Sequence, residues 1–307
     1  MKAAYFMRFG GPEVLQYGDV PDPFAKPGEV LVDIHAASIN AADWKLRRGE
    51  YASVKEFPYV PGRDFSGVVS ATGSGVEDFS LGDAVFGVCD VGHDGAYAEK
   101  LAIASAIVAR KPASLSHLEC AALALTGLTA LVSIEDTLKL RTGETILIQG
   151  GAGGVAGFAI QLAKHLGARV ITTASAANHD YVRGLGADQV IDYKAQDFTT
   201  VVSGCDAVFD TVGGDVALRS FAVLRPGGRA AFIASGNAAP ASPRNDVVSL
   251  RPKVGRDRAH LDRVAALVTA GAVRVPETRT YELSQVADAH IVSERRHLRG
   301  KLVLKVR

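Results

Sequence analysis

The stretch Thr145-Ile146-Leu147-Ile148-Gln149-Gly150-Gly151-Ala152-Gly153-Gly154-Val155-Ala156 decides the fold. Its first five residues form a short apolar run rich in β-branched side chains, which reads as a buried strand. A glycine-rich turn follows. From Gly154 to Leu166 the residues Val155, Phe158, Ala159, Leu162, Ala163 and Leu166 fall on one helical stripe. Gly151, Gly153 and Ala156 fit the pattern G-x-G-x-x-A. In a strand–turn–helix setting the first glycine permits a tight turn and the second lets the backbone approach a pyrophosphate. The small third residue lets helix and strand pack closely. Free amides and the positive end of the helix dipole then hold phosphate. Gly150, Gly151, Gly153, Gly154 and Val155 are therefore the predicted main-chain seat of a dinucleotide.

Downstream the same alternation continues. Strands are expected at Arg169–Ala174, Gln189–Ile191, Ala207–Asp210 and Arg229–Ile233, mostly separated by helical stretches. This predicts the α/β class, a doubly wound parallel sheet with helices on both faces. Upstream, Val30–Ala36, Phe65–Gly73 and Asp83–Val88 are short strands punctuated by turns, which suggests a compact β-barrel-like domain. Ser116-His117-Leu118-Glu119 has the form of a capping box and opens an Ala- and Leu-rich helix. Near the C-terminus a helix from Leu261 precedes strands at Thr278–Leu283 and Lys301–Val306. A terminal strand needs a partner, and the β-rich first domain is the natural one. The predicted organisation is residues 1–115, a β domain; 116–250, a dinucleotide-binding domain; and 251–307, a return to the first. The polar stretch from Gly236 to Gly255 reads as a mobile loop, and nothing in residues 237–258 matches a known pattern.

Composition bounds what such a chain does. Its 307 residues are long for one core and comfortable for two. With 48% hydrophobic and 22% charged residues it has the balance of an ordinary soluble globular protein. A formal net charge of +1 gives no reason to expect nucleic acid or a membrane surface as partner. No apolar run reads as a membrane span. Cys89, Cys120 and Cys205 are scattered and odd in number. They suggest reduced thiols, and with no recognisable leader the expected location is cytoplasmic.

The end of the second strand addresses which dinucleotide binds. An NAD site usually carries Asp or Glu there for the ribose hydroxyls. Here the chain reads Thr173-Ala174-Ser175-Ala176-Ala177-Asn178, with no carboxylate. That removes repulsion toward a 2′-phosphate, to which Ser175 and Asn178 are able to donate, and NADPH is expected over NADH. The same two residues also make a plain helix start.

Ordered markers run along nearly the whole chain. They are Ser38-Ile39-Asn40-Ala41-Ala42-Asp43, Pro61-Gly62-Arg63-Asp64-Phe65-Ser66-Gly67, Gly82-Asp83-Ala84-Val85-Phe86-Gly87, Gly95-Ala96-Tyr97-Ala98-Glu99 and Leu125-Thr126-Gly127-Leu128-Thr129-Ala130. Leu185-Gly186-Ala187-Asp188, Ile191-Asp192-Tyr193 and Arg299-Gly300-Lys301 follow the Gly-rich turn. On these residues the chain resembles the zinc-free quinone oxidoreductase (zeta-crystallin-like) branch of the medium-chain dehydrogenase/reductase superfamily. The resemblance implies a GroES-like catalytic domain, an inserted Rossmann domain and an active site in the cleft between them. Zinc alcohol dehydrogenases place a cysteine ligand where this chain has Asn40, a histidine where it has Arg63, and a third ligand near Leu125. These three residues do not make a thiolate–imidazole zinc site, so no zinc is expected.

Without a Lewis acid, quinones and conjugated enones are the favoured acceptors, because the negative charge that hydride delivers is delocalised. By resemblance, Asn40 and Thr126 or Thr129 belong at the nicotinamide end. Tyr193 belongs with Ser175 and Asn178 on the adenosine side, and Ser235 and Gly236 near the cofactor. Tyr51 is the candidate for hydrogen bonding to the acceptor oxygen, with a plain surface aromatic as the alternative. Asp43 is a candidate anchor for that loop, Arg63 a candidate bridge to Asp64 or Asp43, and Asp83 a turn residue. Ala156 departs from the glycine that near relatives carry. A reductase of enone or enoyl-thioester double bonds is the neighbouring reading. A low-turnover NADPH-binding structural or sensor protein is the distant one. A homodimer is expected, with an outer strand such as Arg229–Ile233 offering the edge.

Overall fold

The computed structural model describes the whole chain except residues 51–53, 55, 91, 94 and 237. In chain order it begins with β1 (Lys2–Tyr5), β2 (Gln16–Asp19), β3 (Glu29–Ser38), α1 (Ala41–Arg47), β4 (Asp64–Thr72), β5 (Ala84–Val88), β6 (Lys100–Ala104) and β7 (Val108–Arg110). Helix α2 (His117–Leu131) leads into β8 (Thr145–Gln149), α3 (Gly154–His165), β9 (Arg169–Ala174), α4 (His179–Gly184) and β10 (Gln189–Asp192). Then come α5 (Phe198–Val201), β11 (Cys205–Asp210), α6 (Asp215–Arg219), β12 (Leu224–Phe232) and β13 (Val248–Leu250). The chain closes with α7 (Arg258–Thr269), β14 (Thr278–Glu282), α8 (Val286–Glu294) and β15 (Lys301–Lys305).

Two compact units result. The first holds Met1–Leu125, Arg256–Thr269 and Val275–Arg307; the second holds Thr126–Gly255 and Ala270–Arg274. The boundaries differ from those drawn on the sequence, for physical reasons. The first half of α2 packs Ala121 and Ala122 on Ala36 and Val303 of the β unit, so the crossing falls at 125/126 instead of 115/116. Residues 270–274 belong to the α/β unit because Gln161 clamps Arg274: its Oε1 accepts from the Arg274 amide at 2.9 Å and its Nε2 donates to the Arg274 carbonyl. The stretch 236–255 is not a featureless loop. It contains β13, and the Arg244 guanidinium donates to the carbonyls of Phe221 and Leu224, which ties it to the sheet.

The β unit is built around β3. This ten-residue strand turns Val30, Val32, Ile34 and Ala36 inward on alternate positions. It pairs antiparallel with β4 along its length, with β6 at its start and with β15 at its end. The terminal strand therefore closes on the first domain, as its need for a partner predicted. Breaks in register near Leu31 and Ile34 bend β3, as bulges do.

The second unit is a six-stranded parallel sheet of order β10-β9-β8-β11-β12-β13. The order reverses between β8 and β11, and that switch point is where such sheets bind ligands, outside the carboxyl ends of the strands. The β12 strand is not the edge that the sequence suggested, because β13 covers its outer side. Helix α2 and its continuation run from His117 to Thr137, and this length and composition match a membrane span, contrary to the sequence reading. Of its most apolar window 83% is buried within the protein, so it is a core helix. Its end widens, with the Leu138 amide bonding five residues back to Ser133. The predicted box at its start is present: Ser116 N donates to Glu119 at 2.7 Å, and Glu119 N to Ser116 Oγ at 3.2 Å.

Inside the β unit, Arg47 is fully buried and donates to the Gly10 carbonyl, to Glu294 and to His290 Nδ1 at 2.8 Å. A guanidinium only donates, so Nδ1 accepts and the imidazole is neutral. Burial first, and the Arg47 charge second, pull His290 down to about 3. A histidine held neutral stabilises the fold fully above its unfolded pKa of about 6.5, and that stability is lost as pH falls toward 3. In urea titrations between pH 7 and 4, His290→Gln is expected to flatten the acid loss by up to ~1.4 kcal/mol per pH unit, one proton's worth. An unchanged slope would assign the acid sensitivity elsewhere.

Candidate functional site

The site begins at the turn after β8. Gly150 takes φ +77°, a conformation that favours glycine, and its amide is drawn inward to Thr173 Oγ1 at 3.1 Å. The Gly151 amide bonds the Thr173 carbonyl at 2.9 Å, and the Gly153 amide the Gly150 carbonyl at 3.0 Å. Behind them lies a buried chain of side chains. Thr173 Oγ1 donates to Gln149 Oε1 at 2.7 Å, Gln149 Nε2 to Ser220 Oγ at 3.1 Å, and Ser220 Oγ to the Val216 carbonyl at 2.7 Å. The turn is thereby fixed from below by β9 and α6.

This assigns the glycines different tasks from those read off the pattern. Gly150 makes the turn. Gly151 has no room for any side chain, since a Cβ there would lie 2.3 Å from Thr172 Oγ1. At Gly153 a Cβ would meet only the Gly150 carbonyl, at an ordinary 3.5 Å, and its φ of −72° suits any residue. Nothing inside the protein requires glycine at that position, so the space it leaves is a cradle for a group from outside. Gly150 and Gly151 are not themselves phosphate donors, because their amides are taken. The amides of Gly154, Val155 and Ala156 open α3, and among the described residues no acceptor takes them. They are the open donors, at the positive end of a twelve-residue helix.

The neighbouring strand ends complete the rim. On β11, buried Asp210 accepts from the amides of Val212 at 3.2 Å and Gly213 at 2.9 Å, and burial raises its carboxyl pKa against those two bonds. It shapes a turn in which Thr211 Oγ1 donates to the Gln149 carbonyl at 2.8 Å, beside Gly150. The sequence reading passed over this turn, although Asp210-Thr211-Val212-Gly213-Gly214 directly after a strand was a signal for it. At the end of β9, Asn178 Nδ2 donates to Ser175 Oγ at 3.2 Å, and the Asn178 amide to the Ser175 carbonyl at 2.8 Å. Register pairs Ala174 with Asp192, so Ser175 and Tyr193 each directly follow the last pair of β9 and β10. Tyr193 is 46% exposed. Past β12, Ser235 Oγ donates to the Ala238 carbonyl and Gly236 turns with φ +78°. On α2 the hydroxyl of Thr126 is buried with no partner among the described residues, and Thr129, one turn on, is buried as well.

In the β unit Asn40 sits at the entrance to α1. Its amide donates to Asp43 Oδ2 at 2.7 Å, its Nδ2 to Asp64 Oδ2 at 3.0 Å, and its Oδ1 accepts from Lys301 Nζ at 2.5 Å. Asp43 also accepts from Tyr97 Oη at 2.7 Å, which anchors the start of α1. Asp64 is held by Ser38, Asn40, Lys301 and the Leu125 amide. Asp83 fixes a turn through the Ser80 amide, and that bond, with Arg110, holds its carboxyl below the usual range. Tyr51 lies outside the described residues. The Asn40 carbonyl oxygen faces the Lys301 ammonium, and among the described residues no group of three or more His, Cys, Asp or Glu side chains is placed to hold a metal ion.

Two glycine substitutions separate packing from binding. Gly153→Val is expected to cost under about 1 kcal/mol of stability, as an N-cap change does. It should weaken dinucleotide affinity by roughly tenfold or more, about 1.4 kcal/mol. Gly151→Ala should instead destabilise by about 1–3 kcal/mol through overpacking on Thr172. Thermal unfolding and calorimetric titration check both, and equal effects at the two positions would remove the distinction.

The family model for the alcohol dehydrogenase GroES-like domain matches residues 26–113, and that for zinc-binding dehydrogenase matches residues 185–304. The chain is 32% identical to the NADPH-dependent alkenal/one oxidoreductase, chloroplastic, of Arabidopsis thaliana over 316 residues, 99% of this chain and 79% of that protein. It superposes on the quinone oxidoreductase from Coxiella burnetii with TM-score 0.94 and 36% identity, covering 100% and 99% of the two chains. For the Escherichia coli quinone oxidoreductase complexed with NADPH the TM-score is 0.91 and the identity 28%, with both chains covered completely. A parallel sheet that opens its phosphate turn at the switch point, together with these relatives, makes the chain a quinone-oxidoreductase-like member of the medium-chain dehydrogenase/reductase superfamily, and thus an NAD(P)H-dependent oxidoreductase.

Proposed function

We propose that this enzyme uses NADPH to reduce a quinone or related conjugated carbonyl compound, without zinc. The carrying observation is the end of β9. No carboxylate stands there to accept ribose hydroxyls; the chain carries Ser175 and Asn178 instead, with Tyr193 following the last paired residue of β10, and these polar groups support a 2′-phosphate. The reduced nicotinamide supplies the hydride. The protein's share is to seat the pyrophosphate on the amides of Gly154, Val155 and Ala156 and to offer Asn40 and Thr126 as polar groups to the reactants. Without a metal as Lewis acid, acceptors that spread negative charge over a conjugated system are favoured, and Asn40 bonded to Lys301 in place of a thiolate ligand supports that reading.

The relative named for alkenal and enone reduction favours a second reading in which the acceptor is a carbon–carbon double bond. A steady-state panel of NADPH and NADH against 1,4-benzoquinone, 9,10-phenanthrenequinone and 3-buten-2-one, with metal analysis of the enzyme used, decides between them. Quinone turnover with NADPH at least tenfold more efficient than with NADH is expected, with far less than one zinc per chain. Enone turnover without quinone turnover would select the second reading. NADPH binding with no turnover at all would point to a sensor or structural role.

We also propose a homodimer in the cytoplasm. The strand β13, with Val248 51% exposed, is one of the two edges of the parallel sheet, and a strand edge invites pairing. The thiols of Cys89, Cys120 and Cys205 are buried and unbridged, which suits a reducing compartment. Light scattering at micromolar concentration is expected to give twice the chain mass for the native protein and the single chain mass for Ser249→Pro. A monomeric native protein would dispose of the dimer.

A further inference from the structure

The marker Arg299-Gly300-Lys301 brings Lys301 to Asn40 through the geometry of its glycine. At Gly300 a Cβ would lie 2.0 Å from the Glu277 carbonyl, so only glycine lets β15 begin there, and φ is +69°. The next amide, of Lys301, then bonds that same carbonyl at 2.7 Å and pairs Lys301 with Thr278. This register sends the Lys301 side chain into the β unit, where the residue is 6% exposed. Its ammonium donates to the Ile39 carbonyl at 2.9 Å and to Asn40 Oδ1 at 2.5 Å, and it lies 3.5 Å from Asp64 Oδ2.

An asparagine side chain has two nearly isosteric faces, and only its surroundings decide which way the amide points. Asn40 is placed between a donor that cannot accept and a carboxylate that cannot donate. Lys301 claims the oxygen, and Asp64, fully buried, claims one hydrogen of the nitrogen. The flipped amide would set N–H against the ammonium and oxygen against the carboxylate, two repulsive contacts in a buried place. Among the described residues the second Nδ2 hydrogen is left over, and its direction is fixed by the other two bonds. Asp64 is itself fixed by Ser38 Oγ at 2.5 Å and by the Leu125 amide at 3.1 Å.

We infer that Lys301, backed by Asp64, is a positioning residue for the reduction: it locks the Asn40 amide so that one N–H is presented to the reactants. This rests on the reading of Asn40 as a polar group at the reactants. The effect runs through Asn40, so it disappears where Asn40 has no amide to orient.

A double-mutant cycle with NADPH and 1,4-benzoquinone tests it, using Lys301→Met, Asn40→Ala and the pair. Lys301→Met is expected to lower kcat about tenfold while the KM for NADPH moves less than threefold. Added to Asn40→Ala, it should lower kcat less than twofold. Lys301→Gln keeps an N–H donor on a side chain one heavy atom shorter. It should retain most of the activity, within about threefold, and still show no added loss on Asn40→Ala. It carries the cycle if Lys301→Met does not fold. A loss from Lys301 substitution that is the same with and without the Asn40 amide would overturn the inference and leave the role of Asn40 standing. An Asn40→Ala enzyme as active as the native one would remove the reading of Asn40 and the inference with it. Full kcat in both Lys301 variants would remove the inference alone.

Discussion

Thr173 holds two consecutive main-chain amides, those of Gly150 and Gly151, one on its hydroxyl and one on its carbonyl. The rest of the coenzyme seat depends on that pair of bonds. By drawing the first part of the turn down onto β9, they let α3 start with its amides facing outward. Donors spent below are what leave the donors above unspent. The threonine is held in turn by Gln149 and Ser220 in a fully buried relay, so the turn is fixed from three elements at once. A loop held this way loses little entropy on receiving an anion, which is the physical content of preorganisation.

The same economy recurs in the β unit. Asn40 stands between Lys301 and Asp64, and every polar atom of its side chain is engaged, yet one N–H remains. The ammonium meets the Asn40 carbonyl oxygen and the Ile39 carbonyl in a buried place. A fixed cation that never meets the substrate polarises nothing directly. What it gives its neighbourhood is a fixed hydrogen-bond geometry.

The two polar networks also show why buried charge is tolerated here. Arg47 is met by His290, Glu294 and the Gly10 carbonyl, and Asp64 by four groups of its own. Neither is a stabilising device in itself, since a well-packed apolar set often does as well. Each instead restricts its neighbourhood to one arrangement, the end of α1 in one case and the amide of Asn40 in the other.

Much of this was legible in the sequence. The strands β8 and β9 and the helix α3 were bounded within a residue, because their apolar periodicity and their punctuating glycines are local signals. The absence of an acid after β9 and the closing role of the last strand were legible for the same reason. What tertiary structure decided was which atoms are free. No pattern of glycines reveals that the amides of Gly150 and Gly151 are spent on Thr173, that Gly151 is demanded by Thr172, or that Gly153 is not demanded by anything within the fold. Nor does spacing bring Lys301 to Asn40 across 261 positions of chain. Local sequence sets where the backbone turns and which face is apolar. Hydrogen-bond partners far apart in the chain are set by strand register and packing, and the chemistry of this protein lies in those partners.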